Sequence, residues 1–396
     1  MISVEEATAR IIAALKPLAT ERIAIGHATG RVLAEDAKAK LSQPPFAVSS
    51  MDGYALRSAD ARQAGSELTV IGSAPAGHPF GGKVGAGQAV RIFTGGVIPD
   101  GADAIVIQED ATAAGTKVTL NIAAVAGRHI RPAGLDFAPD AVLIAKGKRL
   151  SSRDVSLLAA ADLSEVAVQR EPRIAFAATG DELSLPGAPR KPGGIVASSG
   201  YGLAAMIESW GGTAVDLGIV PDTADAVASI AERAAGADLI VTLGGASVGD
   251  HDLVQKALGP KGFALDFWKI AMRPGKPLIF GRLGTTPLLG LPGNPVSTLV
   301  CALLFLKPAI AAMLGIAVEA EHLTARLATD LKENDTRQDY LRARLRTVDG
   351  ERVVEAFTVQ DSSMLSVLAR ADALIVRAPH APRANAGERV PILLLE

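Results

Sequence analysis

The sequence predicts a multidomain α/β protein. A central, doubly wound, mostly parallel α/β domain is joined by an irregular β-rich domain, a helical linker domain and a small C-terminal β-barrel domain. Three observations predict this. At 396 residues the chain exceeds the roughly 250–300 at which a single core stops growing. Between about 171 and 318, short uninterrupted apolar runs alternate with amphipathic helical stretches, the pattern of a parallel sheet covered on both faces. Outside that segment, short β runs are broken by glycine and proline, and a period of two returns after residue 319.

Taken in order, MISVEEATARIIAALKP opens an amphipathic helix, with Ser3 and Glu6 placed as a capping box. Residues 1–42 with 139–170 are assigned to the helical linker domain, the first helix packing on the capped helix near 152–162. Residues 43–138 carry the short runs ELTVIGSAPAGH, GQAVRIFTGG, ADAIVIQED and TKVTLNIA, the β-rich domain. The α/β domain, 171–318, begins with IAFAATG and ends with TPLLGLPGNPVSTLVCALLFL. Its helix TADAVASIAERAAG is closed by Gly236. Residues 319–396 alternate in YLRARLR and RVVEAF around an Asp349-Gly350 hairpin turn, then in DALIVRA and RVPILLL, which makes a small β domain or barrel.

Composition excludes several function classes. The net charge is −2, from 40 basic and 42 acidic residues, so there is no electrostatic footprint for nucleic acid or an anionic membrane. Aromatic residues are 4% against 48% hydrophobic, so the cores are aliphatic. A lone cysteine, Cys301, rules out an intrachain disulfide framework, fits a reducing compartment and reads as a small buried hydrophobe. Glu5, Glu6 and Arg10 interrupt any signal-peptide core. The most apolar stretch, 296–318, is cut by Lys307-Pro308, which predicts a buried helix and a second short one, not a membrane span. The expectation is a soluble, cytoplasmic protein.

The chemistry gathers on loops at the C-terminal ends of successive predicted strands, where open α/β sheets bind ligands. The loop Ala178-Thr179-Gly180-Asp181-Glu182-Leu183 places two acids after a turning glycine. The loop at 244–252, with Gly244, Gly245, Ser247 and Gly249, suits an anion nest, and Asp250 and Asp252 could hold Mg²⁺ against the bound phosphates. In Pro292-Gly293-Asn294-Pro295-Val296-Ser297, Pro295 suits a first helical turn and Ser297 lies near the helix N-terminus. Lys269, Arg273 and Lys276 converge around a Pro-Gly turn, where Arg273 can fork onto an oxyanion and Lys276 supplies a point charge. Arg342, Arg344 and Arg346 alternate along one strand face, which also suits a solvated face. No histidine has metal-ligand spacing, and no Ser-His-Asp arrangement can be placed.

The stretches PPFAVSSMDGYA, RIFTGGVIPDGADAIVIQE, IRPAGLDF, ATGDEL, GGASVGDHD, MRPGKP and LPGNPVS, in this order and spanning the whole chain, resemble the MoeA family of molybdopterin molybdenumtransferases. The same fold forms the C-terminal part of gephyrin. The resemblance implies insertion of molybdate into the dithiolene of adenylated molybdopterin, with Mg²⁺ and release of AMP. It implies active-site roles for Asp52, Thr94, Glu182, Asp222 and Asp252, the acids Asp222 and Asp252 holding the metal. Substrate contacts are implied at Arg131, Asp136, Gly180, Asp181, Gly244, Gly245, Ser247, Gly249, Lys269, Pro292, Asn294 and Pro295. Molybdate is implied at Arg273, Lys276, Ser297, Arg342 and Ser363. It further implies a homodimer whose site joins the α/β domain of one subunit to the MDGYA-bearing domain of the other, and exchange with a molybdopterin adenylyltransferase and with cofactor-accepting proteins.

Asp52 then becomes an acid presented by a proline-stiffened loop instead of a turn residue. Three positions depart from the family pattern: Arg273 stands for a lysine, Ser199 for an asparagine, and Asp361 for a glycine beside Ser362 and Ser363. The alternatives are a molybdopterin adenylyltransferase, which needs the α/β domain alone, and a gephyrin-like peptide-binding scaffold, which needs an apolar groove between the tail and the α/β domain.

Overall fold

A computed structural model describes residues 1–245, 251–318 and 323–395, with backbone alone at 251–253 and 255. The chain forms two compact units. One comprises Met1–Glu21, Gly30–Ala34 and Val168–Glu396, the other Arg22–Thr29 and Glu35–Ala167.

The first unit is built on a six-stranded sheet in the order Thr213–Val220, Arg173–Thr179, Leu239–Leu243, Thr286–Leu291, Ile279–Leu283, Phe263–Trp268. The first four strands pair in parallel, and Ile279–Leu283 runs antiparallel to both of its neighbours. Alternate residues of Arg173–Thr179 feed two cores. Ile174 and Phe176 meet Leu203, Ile207 and Val300, while Ala175 and Ala177 meet Val227, Ile230 and Val254. With both faces covered, every position must be apolar, and the strands read as continuous runs for that reason. Removing the Phe176 ring would cost about 3–5 kcal/mol.

The helix predicted to break at Lys307-Pro308 does not break: it runs from Pro295 to Met313. The turn Ala302–Leu306 opens to π-helical spacing just before the proline, which accommodates the ring and the missing N–H without ending the helix. The helix is long and apolar enough to cross a membrane, but it is 72% buried, as a core helix is. The N-terminal helix Val4–Ala13 sends Val4, Ala7 and Ile11 into the core shared with Ala309, Ile310 and Met313. Sequence reading grouped this helix with 139–170; the fold gives its apolar face to the first unit.

The tail of this unit is a closed five-stranded barrel. Gln338–Val348, Glu351–Ala356, Leu323–Leu327, Arg389–Leu394 and Ala373–Arg377 pair in turn, and the last returns to the first. Closure leaves no free edge, and Ala325, Val354, Ile375 and Ile392 fill the interior. The two-residue strand Met272–Arg273 adds in parallel to Gln338–Asp339.

The second unit has a six-stranded, largely antiparallel sheet in the order Ala104–Ile107, Gly53–Leu56, Gln88–Ile92, Glu67–Ala74, Lys117–Leu120, Ala111–Ala114. Gly53–Leu56 is buried at all four positions between two partner strands. A side chain at Gly53 would run into the Val106 carbonyl, so glycine is required where the MDGYA segment enters the sheet. The helix Ser152–Ala160 carries a complete capping box: Ser151 and Asp154 each accept the other's backbone N–H.

Candidate functional site

A cavity of about 800 Å³ opens at the C-terminal ends of the parallel strands Arg173–Thr179, Leu239–Leu243 and Thr286–Leu291. Of the residues expected in the site, Glu182, Asp222, Gly244, Gly245, Lys269, Lys276, Pro292, Asn294, Pro295, Ser297 and Ser363 line it. Strand ends converge there because the parallel sheet delivers successive loops to one edge, whatever their spacing in sequence.

The loops are held by close backbone approach. Gly244, at φ +94°, lies so near Thr179 that a Cβ would come within 2.9 Å of its carbonyl oxygen. Gly180 sits beneath the Glu182 carboxylate, where a Cβ would be 2.7 Å from Oε2. Asp181 is not on the cavity wall; its Oδ1 accepts the Asp222 N–H at 3.3 Å. Asn294 is the N-cap residue of the helix that starts at Pro295, and Ser297 in its first turn is buried at the wall. Ser247, Gly249 and the Asp252 side chain lie outside the described residues.

The cations divide. Lys276 lines the cavity, and its side-chain ammonium makes no hydrogen bond or ion pair with a described residue. Lys269, at φ +69°, also lines it and places its ammonium 3.6 Å above the Trp268 ring, a cation–π contact. Arg273, expected on the oxyanion, is not on the wall. Its Nε donates to Asp339 Oδ1 at 2.9 Å, a second arm of its guanidinium bonds Oδ2, and Asp335 lies 3.5 Å from Nη1. The cause is burial: Asp339 is 3% exposed, and a buried carboxylate demands a charged partner. Asp339 raises the Arg273 pKa above its ordinary value, chiefly through these hydrogen bonds.

Arg342 likewise leaves the expected set. Instead of standing on a solvated face it is 1% exposed, with Nε donating to Gln360 Oε1 at 3.0 Å and Nη1 to the Asp361 carbonyl at 2.7 Å. Burial lowers its pKa, and the Asp361 charge opposes the shift. Arg342 thereby braces the turn that carries Ser363, whose hydroxyl donates to Asp361 Oδ1 at 2.6 Å. The neighbouring Ser362 docks this turn on the Asn294 loop: its carbonyl accepts the Val296 N–H at 3.1 Å and its hydroxyl accepts Asn294 Nδ2 at 3.0 Å. Asp361 therefore organises the turn.

In the second unit, Asp52 and Thr94 meet. Asp52 Oδ1 accepts the Thr94 N–H at 2.7 Å and its hydroxyl at 2.9 Å, and these bonds hold the carboxyl below its usual pKa. Arg131 lies on the short strand Ile130–Arg131 paired with Val48–Ser49, and Asp136 donates its N–H to Gln43; both side chains are exposed.

Glu182 and Asp222 give the cavity two hard oxygen donors, the ligand class Mg²⁺ takes. No cluster of three or more His, Cys, Asp or Glu occurs among the described residues.

Sequence reasoning missed three supporting residues: Asp339, Trp268 and Cys301. The Sγ of Cys301 donates to the Gly275 carbonyl at 3.8 Å, and a Cβ on Gly275 would strike that sulfur. A signal existed for Asp339 alone, an acid set among the apolar positions of a strand.

A second, apolar cavity of about 460 Å³ lies in the same unit, lined by Met206, Trp210, Leu303, Leu368 and Leu395 among others.

Comparison with known proteins bears on this geometry. The model of the MoeA N-terminal region (domain I and II) matches residues 2–161. That of a probable molybdopterin binding domain matches 175–312, and that of the MoeA C-terminal region (domain IV) matches 324–395. The molybdopterin molybdenumtransferase of Haemophilus influenzae is 33% identical, over 99% of this chain and 98% of its own length. That of Bacillus subtilis is 32% identical, over 100% and 94%. The crystal structure of a molybdopterin biosynthesis MoeA protein from Pyrococcus horikoshii superposes with a TM-score of 0.87 at 29% identity, covering 100% of this chain and 99% of that one.

Proposed function

Since the chain belongs to the MoeA family, we propose that it inserts molybdate into the dithiolene of adenylated molybdopterin and releases AMP. It is a transferase of molybdenum cofactor biosynthesis. The observation that carries the finer reading is the meeting of Lys269, Lys276, Ser297 and Ser363 with Glu182 and Asp222 in one cavity. Molybdate is a tetrahedral dianion; two ammonium groups, hydroxyls and a helix N-terminus supply the charge and donors it requires. Carboxylates beside an anionic substrate are repulsive unless a cation stands between them. Mg²⁺ would be held by Asp222 and Asp252, and when bound it supplies charge neutralisation at the phosphate linkage. Glu182 lies on the same wall, and the lysines hold the oxyanion while the loops about Gly180 and Gly244 approach the nucleotide.

Asp52, Thr94, Arg131 and Asp136 belong to the proposed site through a homodimer. Exchange with a molybdopterin adenylyltransferase and with cofactor-accepting proteins, in the cytoplasm, completes the proposal. An adenylyltransferase needs the α/β part alone and leaves the matched flanking regions without a role. The scaffold alternative rests on the apolar cavity, whose lining offers few polar groups for a peptide.

The test follows AMP release from adenylated molybdopterin with Mg²⁺ and varied molybdate. Lys276→Gln raises the KM for molybdate about tenfold or more; an unchanged KM removes the assignment. Mixing Asp52→Ala with Lys276→Ala restores activity in a homodimer that shares its sites, and no rescue refutes the sharing.

A further inference from the structure

We infer that Asp339 and Arg273 form a positioning pair for the oxyanion site, and that Arg273 acts through Lys276 without touching the anion. The inference rests on the molybdate site proposed above. Arg273 and Lys276 stand on one short segment, and the two ends of that segment are fixed differently. At Met272–Arg273 it is a strand on the barrel, paired with Gln338–Asp339, and the Gln338 N–H donates to the Ala271 carbonyl at 2.9 Å. At Lys276 it closes a turn, its carbonyl accepting the Ile270 N–H at 3.0 Å. Between them lies Gly275, against Cys301.

Only two residue pairs make the strand-to-barrel joint, too few ladder bonds to hold it alone. The forked bond from Arg273 to Asp339 closes it. Asp339 is 3% exposed, so its charge is satisfied inside the protein and not by solvent. Both guanidinium arms that reach it point to the barrel, and Asp335 takes the third nitrogen. Together with the two carboxylates it faces, the charged guanidinium forms a group with no net positive charge to offer a dianion. Lys276 retains its charge for the cavity, and the clamp decides where that charge stands.

The test is a double-mutant cycle read by calorimetric binding of sodium molybdate to the full chain and by the molybdate KM in the AMP-release assay. Asp339→Asn and Arg273→Gln each weaken molybdate about tenfold, raising KM with kcat little changed. The double variant is no weaker than the worse single one, because both break one joint. Arg273→Gln strands a buried carboxylate; if it does not fold, the double variant, which removes both charges, is compared with Asp339→Asn alone. If Arg273 is a direct ligand, Asp339→Asn frees it toward the cavity and molybdate binds as well or better. That result overturns the inference, as does strict additivity. Lys276→Gln separates the two levels: unaltered molybdate binding there defeats the site itself, whereas weakened binding there with a wild-type Asp339→Asn defeats only the clamp.

Discussion

Gly275→Ala tests how tightly the cavity fixes its lysine. Gly275 has φ +111°, and its missing Cβ would point at Cys301 Sγ, with Met272 Cε 3.2 Å away. Non-bonded heavy atoms settle at about 3.5–4.0 Å, so the methyl overlaps the sulfur by more than about 1 Å. Cys301 is fully buried in the helix Pro295–Cys301 and cannot retreat. The loop must therefore move, and Lys276, the next residue, moves with it. A displacement near 1 Å costs on the order of 100-fold in catalysis. The left-handed backbone adds roughly 1–2 kcal/mol of strain to the folded state. Activity is followed as molybdate-dependent AMP release, and stability by thermal melts. Gly275→Ala shows about a 100-fold loss in kcat/KM for molybdate. Gly275→Ala with Cys301→Ala recovers about tenfold of it, since the sulfur is gone and only the φ strain remains. Cys301→Ala alone is the control. Wild-type kinetics in Gly275→Ala, or no recovery in the pair, would refute the reasoning.

Three further outcomes are expected. Gly180→Ala pushes a Cβ against the Glu182 carboxylate, 2.7 Å from Oε2, so AMP release falls about 10–100-fold; unchanged turnover would place Glu182 outside the chemistry. Thr94→Ala removes the hydroxyl bond to Asp52 and raises the Asp52 pKa. If ionised Asp52 is required, the acid limb of the kcat/KM profile moves to higher pH, and an unmoved limb counts against that requirement. Asp154 is held at a pKa of about 2, from 3.8, first by Lys148 and then by Ser151. Because the folded value is depressed, its contribution is present above pH 3.8 and fades as pH falls toward 2. Asp154→Asn should destabilise by about 1–2 kcal/mol at pH 7 and much less near pH 2, measured by denaturant melts at both; equal losses would deny the ion pair a role.

The sequence by itself determined what local chemistry can carry. Uninterrupted apolar strands at 171–318 announced a sheet buried on both faces, and period two after residue 319 announced the barrel. The glycine and proline loops named the cavity wall, since a parallel sheet must bring its strand ends to one edge. Ser3 marked a helix start because a cap is a contact between near neighbours. Tertiary structure alone decided which partners distant charges took. Arg273 is 66 positions from Asp339, and Arg342 contacts the 360–361 turn across the barrel rim; no spacing rule reaches so far. It also decided that Pro308 would not end its helix, because the widened turn before it depends on packing. The physical reason is range: caps, turns and strand period follow from neighbours within a few residues, whereas a buried charge takes whichever partner the fold brings within hydrogen-bond reach.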